Sequence, residues 1–291
     1  MIVLFRWLAR LPLAWLQACG AVLGWLVWWG SPTYRRQFHR QVAGSGVDPR
    51  RARAAIAATG RMVAELPWVW ARPHEDTLSW RVTWDGQHHV QAALAAGRGV
   101  IIMSPHIGSW EVGAQALAEA FAGQDGAWVV LYRPPRHEGL RTLVERSRER
   151  SQVQGVPTTL AGVRALVRAL RRGAGTAILP DQVPPLGQGV WAPFWGQEAY
   201  TMTLLPRLVQ QTGAAVLLTW CERLPAGRFK IHVKPWSDPT WHDPQASPVQ
   251  WASAMNQAIE SLVRAHPEQY LWGYNRYKRP EGAPAAPEKR P

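Results

Sequence analysis

The residues best suited to catalysis lie in the stretch GVIIMSPHIGSWE, which runs from Gly99 to Glu111. An imidazole whose Nδ1 proton is held by a carboxylate can take a proton from a hydroxyl at Nε2. His106 and Glu111 are the residue types for such a pair, with His106 as the general base. They lie five positions apart, about 500° on a regular helix, so they would not share a helical face. They can meet only if His106 lies in a turn before the helix and Glu111 reaches back from its first turn.

A buried strand is predicted immediately before His106. Val100–Met103 is an uncharged apolar run, and Ser104 and Pro105 end it. In open α/β sheets the functional groups gather at the carboxyl ends of the strands. This position favours a catalytic histidine over a histidine with a purely structural role.

Two further predicted strands end in polar residues. Arg133 follows a strand at Trp128–Tyr132, and Asp181 and Gln182 follow a strand at Thr176–Leu179. Arg133 is suited to stabilise a developing oxyanion or to bind a phosphate, and a solvated loop arginine is the alternative. Because the carboxyl ends of parallel strands meet at one edge, we expect three strands to deliver polar groups to the same rim.

The alternation of strands and helices predicts an α/β fold with a mostly parallel central sheet flanked by helices. Residues 1–32 are predicted to form a membrane anchor, 33–280 the catalytic domain, and 281–291 a disordered tail of Pro, Ala, Gly and charged residues. Helices are predicted at 49–70, 87–96, 114–121, 138–150, 161–172, 201–211 and 249–265, and strands at 79–84, 100–103, 128–132, 176–179, 214–220 and 229–233.

The N-terminal segment is predicted to attach to a membrane. Leu11–Gly30 contains no charged residue and would span about 30 Å as a helix, which matches the hydrocarbon core of a bilayer. Arginines flank both ends, so the charge bias does not decide the orientation. Pro12, Gln17, Gly20 and Gly24 also permit a helix that lies in the membrane plane. A cleaved signal peptide and a buried soluble helix are the remaining alternatives.

Composition restricts the classes of partner. The chain of 291 residues has a formal net charge of +13 and 18 tryptophans. The charge suits nucleic acid, anionic lipid or an acidic protein, and tryptophan is favoured at membrane interfaces as well as in cores. Cys19 and Cys221 form no disulfide framework, which indicates a reducing compartment. No phosphate-binding loop, nucleophile elbow or zinc-ligand spacing occurs, so neither a metal nor a cofactor is expected.

Several stretches, taken in order, resemble the lipid A late acyltransferase family. This family belongs to a wider group whose signature is His, four residues, then Asp or Glu. The resemblance covers nearly the whole chain, from about residue 1 to 280. The matching stretches are His106–Glu111, the YRP of Tyr132–Pro134, the DQ of Asp181 and Gln182, PFWG and AYT within Pro193–Thr201, TGAAV at Thr212–Val216, and YLWGYNRYK at Tyr270–Lys278.

The resemblance implies that a fatty acyl chain moves from an acyl carrier protein thioester to a hydroxyl of a phosphorylated lipid A precursor. It implies that His106 is the base and that Glu111 orients it. A carrier-protein donor implies a catalytic domain on the cytoplasmic face of the inner membrane. The residues implied to bind substrate or to stabilise the oxyanion are Arg133, Arg148, Asp181 and Gln182.

Three alternatives differ from this interpretation, and one of them is a non-catalytic scaffold that has kept the fold. An acyltransferase of the same superfamily could use another acceptor, such as a lysophospholipid, a glycolipid or an aminolipid. A membrane-anchored nucleic-acid-binding protein would also suit the positive charge. That class gives His106 and Glu111 no role, and no nucleic-acid-binding motif occurs, so no nucleic-acid partner is expected.

Overall fold

A five-stranded sheet forms the centre of the protein in a computed structural model, which describes residues 2–73, 75–121, 128–132, 138, 141, 143–145 and 153–287. The strands are β1 (Val82–Asp85), β2 (Val100–Met103), β3 (Trp128–Tyr132), β4 (Val153–Pro157), β5 (Gly175–Ile178), β6 (Gly189–Phe194), β7 (Gln197–Met202), β8 (Ala215–Leu224) and β9 (Arg228–Trp236). The helices are α1 (Ile2–Leu8), α2 (Leu13–Gly30), α3 (Pro32–Ser45), α4 (Pro49–Ala71), α5 (Gln87–Ala95), α6 (Trp110–Phe121), α7 (Leu160–Arg171), α8 (Leu204–Thr212) and α9 (Pro248–Ala265).

The sheet has the order β1-β9-β8-β2-β5. Strand β2 pairs in parallel with both β5 and β8, and β1 pairs in parallel with β9. The β8–β9 pair is antiparallel. The predicted α/β class with a mostly parallel sheet is therefore confirmed, and the single antiparallel pair is an addition to it.

The interior position of β2, between β8 and β5, follows from its composition. All four of its residues are buried, as expected for a parallel strand that is covered on both faces. Met103, its last residue, is level with Ile178, the last residue of β5. The backbone N–H of Ser104 extends the ladder by donating to the Ile178 carbonyl at 3.1 Å. The two strands therefore end together at one edge of the sheet.

The hairpin of β6 and β7 was not predicted, and part of it lies where the sequence analysis begins a helix at residue 201. Phe194 pairs with Gln197, so the loop contains only Trp195 and Gly196. Both loop residues have positive φ, 50° and 68°, which is the requirement of a type I′ turn. The usual sequence signal for this turn is Asn-Gly or Asp-Gly, and a Trp-Gly turn lacks it.

Three further differences concern α3, β4 and the tail. Helix α3 begins after Ser31, whose hydroxyl accepts from the Tyr34 N–H, and neither α3 nor β4 was predicted. Ala283 is buried and the Pro284 carbonyl accepts from the Trp191 indole at 3.1 Å, in contrast to the disorder predicted from residue 281. The helix predicted at 138–150 lies mostly outside the described residues.

One face of α2 packs along α4. The two backbones touch where Gly20 and Gly24 cross Gly60, because glycine lets helices approach without an intervening side chain. Helix α2 is long and apolar enough to cross a membrane by length and composition, yet a third of it (33%) is buried inside the protein. Any position of α2 in a membrane must therefore be compatible with its packing on α4.

We expect Gly60→Ala to lower the free energy of unfolding by about 1–3 kcal/mol, the usual cost of overpacking. The added methyl would overlap the Gly20 carbonyl oxygen, which forces the two helices apart. Denaturant titration of the purified protein measures the change.

Gly30→Ala is the matched control, because a methyl there meets nothing within 4 Å. Alanine is the better helix former, so this variant should be as stable as the wild type or slightly more stable. Equal stability of both variants would contradict the close α2–α4 crossing.

Candidate active site

His106 is held by the carboxylate of Asp181. The ring Nδ1 lies 2.6 Å from Asp181 Oδ1, and the His106 backbone N–H donates to Asp181 Oδ2 at 2.9 Å. An ionised carboxylate only accepts hydrogen bonds, so Nδ1 carries the proton. The same carboxylate thus fixes both the ring tautomer and the backbone that carries the ring.

The register of the sheet brings these two residues together. Met103 of β2 is level with Ile178 of β5. His106 and Asp181 each follow these paired residues by three positions. Equal offsets beyond adjacent parallel strands place the two side chains at the same height on the same edge.

The opposite ring nitrogen faces a polar neighbour. The Gln182 amide nitrogen lies 3.1 Å from His106 Nε2. Because the amide nitrogen donates, Nε2 accepts, as its tautomer requires. The Trp110 ring packs edge-on to the imidazole at 4.8 Å, and the His106 side chain retains 13% exposure. His106 is therefore oriented on three sides while its Nε2 remains within reach of a ligand.

Asp181 is almost fully buried, with 3% of its side chain exposed. Burial alone would raise its pKa, but the charge and hydrogen bonds of His106, with the positive charge of Arg276, hold the pKa of this carboxyl below its ordinary value. Burial, with the nearby negative charge of Asp181, raises the pKa of Tyr270 well above its ordinary value. Tyr270 is therefore a neutral side chain beside a charged carboxylate.

The segment Tyr270–Lys278 supports both loops of the site. The Leu271 N–H donates to the His106 carbonyl at 3.0 Å, and the Tyr274 hydroxyl accepts from the Val183 N–H at 2.9 Å. Arg276 is fully buried and donates to the Tyr200 carbonyl at 2.8 Å. This segment connects the turn after β2, the loop after β5 and the β6–β7 hairpin.

Glu111 does not make the predicted contact with the His106 Nδ1. Its carboxylate accepts from the Trp70 indole at 3.1 Å, and Asp181 occupies the place at Nδ1 that the sequence analysis gave to Glu111. The physical reason is the register of β2 and β5, which puts Asp181 level with His106. Glu111 lies in the first turn of α6 and lines the same cavity as His106, so its part in catalysis stays a prediction.

A buried polar network holds the turn between His106 and α6. Gly108 has φ 65°, and a side chain there would overlap the Cys221 carbonyl. The Ser109 hydroxyl donates to Glu65 of α4 at 2.7 Å. Glu65 is in turn paired with Arg223 at 2.5 and 2.8 Å. The turn is therefore fastened to α4 and β8.

Burial raises the pKa of the Cys221 thiol. A thiol is nucleophilic only as the thiolate, so Cys221 is unsuited to covalent catalysis. Cys221 lies beside the turn but contributes packing and a backbone carbonyl to it.

His106 opens into a large cavity of about 1250 Å³. Polar groups of His106, Glu111 and Gln182 line its wall. Most of the remaining wall is apolar and comes from α6, α8 and the strands β3, β4 and β5. Representative apolar lining residues are Leu117, Trp128, Val130, Val153, Ala177 and Leu208. The arrangement can place a polar reacting group at His106 while a hydrocarbon chain is buried nearby.

The structure brings together three of the predicted rim residues, His106, Asp181 and Gln182. Arg133 and Arg148 lie outside the described residues. Within the described part of the chain, no group of three or more His, Cys, Asp or Glu side chains could hold a metal ion.

Sequence reasoning missed four residues of the site. Trp110 and Trp70 were not predicted as site residues, because tryptophan is common throughout the chain and does not by itself indicate a site. Tyr270 and Arg276 lie in the last stretch that resembles the acyltransferase family, so the segment was found but its contact with Asp181 was not.

A family model of bacterial lipid A biosynthesis acyltransferases matches residues 1–279. The chain belongs to this family. The lipid A biosynthesis lauroyltransferase of Escherichia coli K12 is 26% identical over 230 residues, covering 78% of this chain and 71% of the relative. The palmitoleoyltransferase of the same strain is 27% identical over 229 residues, covering 77% and 70%. For a lipid A acyltransferase, a polar site beside an apolar cavity is the expected arrangement.

Selective ¹⁵N-histidine NMR should show neutral His106 as the Nδ1–H tautomer. In Asp181→Asn one of the two carboxylate oxygens becomes an NH2 donor, so either the ring Nδ1–H or the backbone N–H of His106 loses its acceptor. We expect the tautomer to change or to become a mixture.

Trp110→Phe retains the carboxylate and serves as the control, so its tautomer should match the wild type. An Nε2–H tautomer in the wild-type protein would contradict the assigned pairing.

Proposed function

We propose that this acyltransferase moves a fatty acyl chain from an acyl carrier protein thioester to a hydroxyl of a phosphorylated lipid A precursor, with His106 as general base. The observation that carries the proposal is the imidazole held by Asp181 at the wall of a large apolar cavity. Membership of the lipid A family supplies the acceptor class. General-base catalysis by a positioned histidine contributes typically ~10²–10⁴-fold to the rate.

The proposed reaction needs no nucleophile from the protein. His106 Nε2 accepts the proton of the acceptor hydroxyl as its oxygen attacks the thioester carbonyl. The C–O bond forms, the C–S bond breaks, and the departing thiolate takes the proton back from the imidazolium. Asp181 stabilises the imidazolium while it exists. The products are the ester and the free carrier-protein thiol.

Gln182 and two arginines are proposed to bind the reacting groups. The acceptor hydroxyl would replace the Gln182 amide at Nε2, which frees that N–H to donate to the oxyanion. We retain Arg133 and Arg148 as candidates for oxyanion or phosphate contacts on the basis of the sequence.

Glu111 is proposed to act as a second, less direct carboxylate. Its charge lies in the wall of the same cavity and is held in place by the Trp70 indole. A negative charge nearby favours the imidazolium formed during the reaction. We therefore expect Glu111 to matter less than Asp181, which contacts the ring itself.

The donor is proposed to dock beside α7. Arg164, Arg168 and Arg171 are exposed on this helix, while Leu160 at its start and Val163 line the cavity. Acyl carrier proteins are acidic, so a basic surface next to the opening suits them. This donor would place the catalytic part of the protein on the cytoplasmic side of the inner membrane.

Three substitutions test the assigned roles in an assay with acyl carrier protein thioesters and a tetra-acylated precursor. We expect His106→Ala to lower kcat by about 10²–10⁴-fold. Asp181→Asn should lower kcat by about 10²-fold or more, because the tautomer is lost. Glu111→Gln should give a smaller loss than Asp181→Asn.

The matched control is His88→Ala, which removes an exposed histidine on α5 and should turn over like the wild type. Thermal melts and circular dichroism check that each variant folds. Wild-type turnover by His106→Ala would reject the proposed mechanism.

The acceptor is tested with lipids extracted from a deletion strain and analysed by mass spectrometry. We expect lipid A that lacks one secondary acyl chain, restored by the wild-type gene and not by His106→Ala. Unchanged lipid A with an altered lysophospholipid, glycolipid or aminolipid would assign a different acceptor.

A further inference from the structure

Helix α2 is apolar on both of its faces. Its inner face packs on the protein through Leu13, Leu16, Gln17, Gly20, Gly24 and Trp28. Its other face is exposed and continues the exposed side chains of α1. We call the two together the outer apolar surface, made of Val3, Leu4 and Trp7 of α1 and Trp15, Val22, Leu23, Leu26, Val27 and Trp29 of α2.

Both ends of α2 pack against the rest of the protein. At its start, Leu13 packs against Gly227 in the turn between β8 and β9. At its end, Trp28 packs edge-on to Phe38 of α3 at 4.9 Å, and Arg35 donates to the Trp28 carbonyl at 2.6 Å. The two ends are therefore tied to elements on one side of any membrane.

Helix α3 is itself packed against the rest of the protein. Its Gln41 is buried and donates to the carbonyls of Trp272 and Tyr274 at 2.6 and 2.5 Å. These carbonyls belong to the segment that supports the candidate active site. The chain therefore returns to the catalytic part directly after α2.

The middle of α2 is held by polar contacts as well. The Gln17 amide donates to Glu65 of α4 at 2.7 Å, and both side chains are buried. Helix α4 also exposes Arg50, Arg51 and Arg53, which are costly inside hydrocarbon. Because α2 lies along α4, α2 cannot cross a bilayer while α4 remains outside it.

We propose that α1 and the exposed face of α2 lie in the plane of one membrane leaflet that contains anionic lipid, and that α2 does not cross the bilayer. Arg6 lies in α1 and Arg10 between α1 and α2, and Arg36 follows α2; all three are exposed. The first acidic residue of the chain is Asp48. Apolar side chains bordered by cations suit an anionic lipid surface.

A second copy of the chain is a poorer occupant of this surface. Two such surfaces would bring arginine towards arginine without an acidic residue from α1, α2 or α3 between them. Like charges brought together at an interface oppose association. Charge complementarity therefore selects lipid.

This placement also provides an entry route for a lipid acceptor, an inference that rests on the proposed function. Phe5 of α1 stacks on Trp70 at 6.3 Å. Trp70 lines the catalytic cavity and holds Glu111. The outer apolar surface therefore adjoins the cavity wall, and a lipid acceptor can enter from the leaflet in which α1 and α2 lie.

Spin labels on the full chain in vesicles of phosphatidylglycerol and phosphatidylcholine test the orientation. Cys19 is exposed and Cys221 is buried, so Cys19→Ser gives a background with no accessible thiol. Single cysteines then replace Trp15, Val22, Leu26 and Trp29, which span about 21 Å along the helix at 1.5 Å per residue. Oxygen and nickel relaxation report the depth of each label.

We expect all four labels at similar depth, about 5–10 Å below the headgroups. Depths that pass through a maximum near the middle of α2 and return to the opposite surface would overturn the proposal. Labels that stay in water would overturn it too. Acyl transfer by the labelled proteins is measured separately, so failure of the orientation and failure of the proposed reaction are distinguishable.

Vesicle sedimentation tests the lipid surface itself. Leu26→Asp should weaken binding to anionic vesicles at least tenfold, whereas Val249→Asp, at an exposed position of α9, should bind like the wild type. His106→Ala should also bind like the wild type. Equal vesicle binding by the two aspartate variants would reject lipid as the occupant of this surface. So would a wild-type protein that does not bind vesicles and forms a dimer that Leu26→Asp abolishes.

Discussion

The contact between the His106 imidazole and the Asp181 carboxylate is the interaction on which the site depends. It exists because β2 and β5 end level with each other and each continues for three residues before its functional side chain. A shift of one residue in this register would turn the alternate side chains to the opposite face. The buried strands that set the register are therefore what positions the candidate active site.

A charged carboxylate in a buried position must be compensated. Asp181 receives hydrogen bonds from the ring and the backbone of His106, with the positive charge of Arg276 nearby. Without these partners, burial would favour the protonated acid, which has no charge to stabilise an imidazolium and no longer offers two oxygens that only accept. The C-terminal segment is thus required at the site even though it lies far from His106 in the chain.

A second buried network joins the N-terminal helices to the same turn. Glu65 binds Gln17 of α2, Arg223 of β8 and Ser109 beside the start of α6. The helix whose outer face is proposed to contact lipid and the turn that carries His106 therefore share one carboxylate. In the proposed orientation this would hold the candidate active site close to the membrane plane without a flexible linker.

The sequence alone determined the fold class and the strands at 100–103 and 128–132. It also placed His106, Asp181 and Gln182 on one rim of the sheet. These features were predictable because apolar runs and the polar residues that end them are local signals. Tertiary structure decided which carboxylate holds the ring. Local spacing favoured Glu111, but β-sheet register is a non-local property and selected Asp181. Helix α2 is a second case. Its apolar composition suits a membrane span, but only its packing on α4 shows which of its faces is buried and which is exposed.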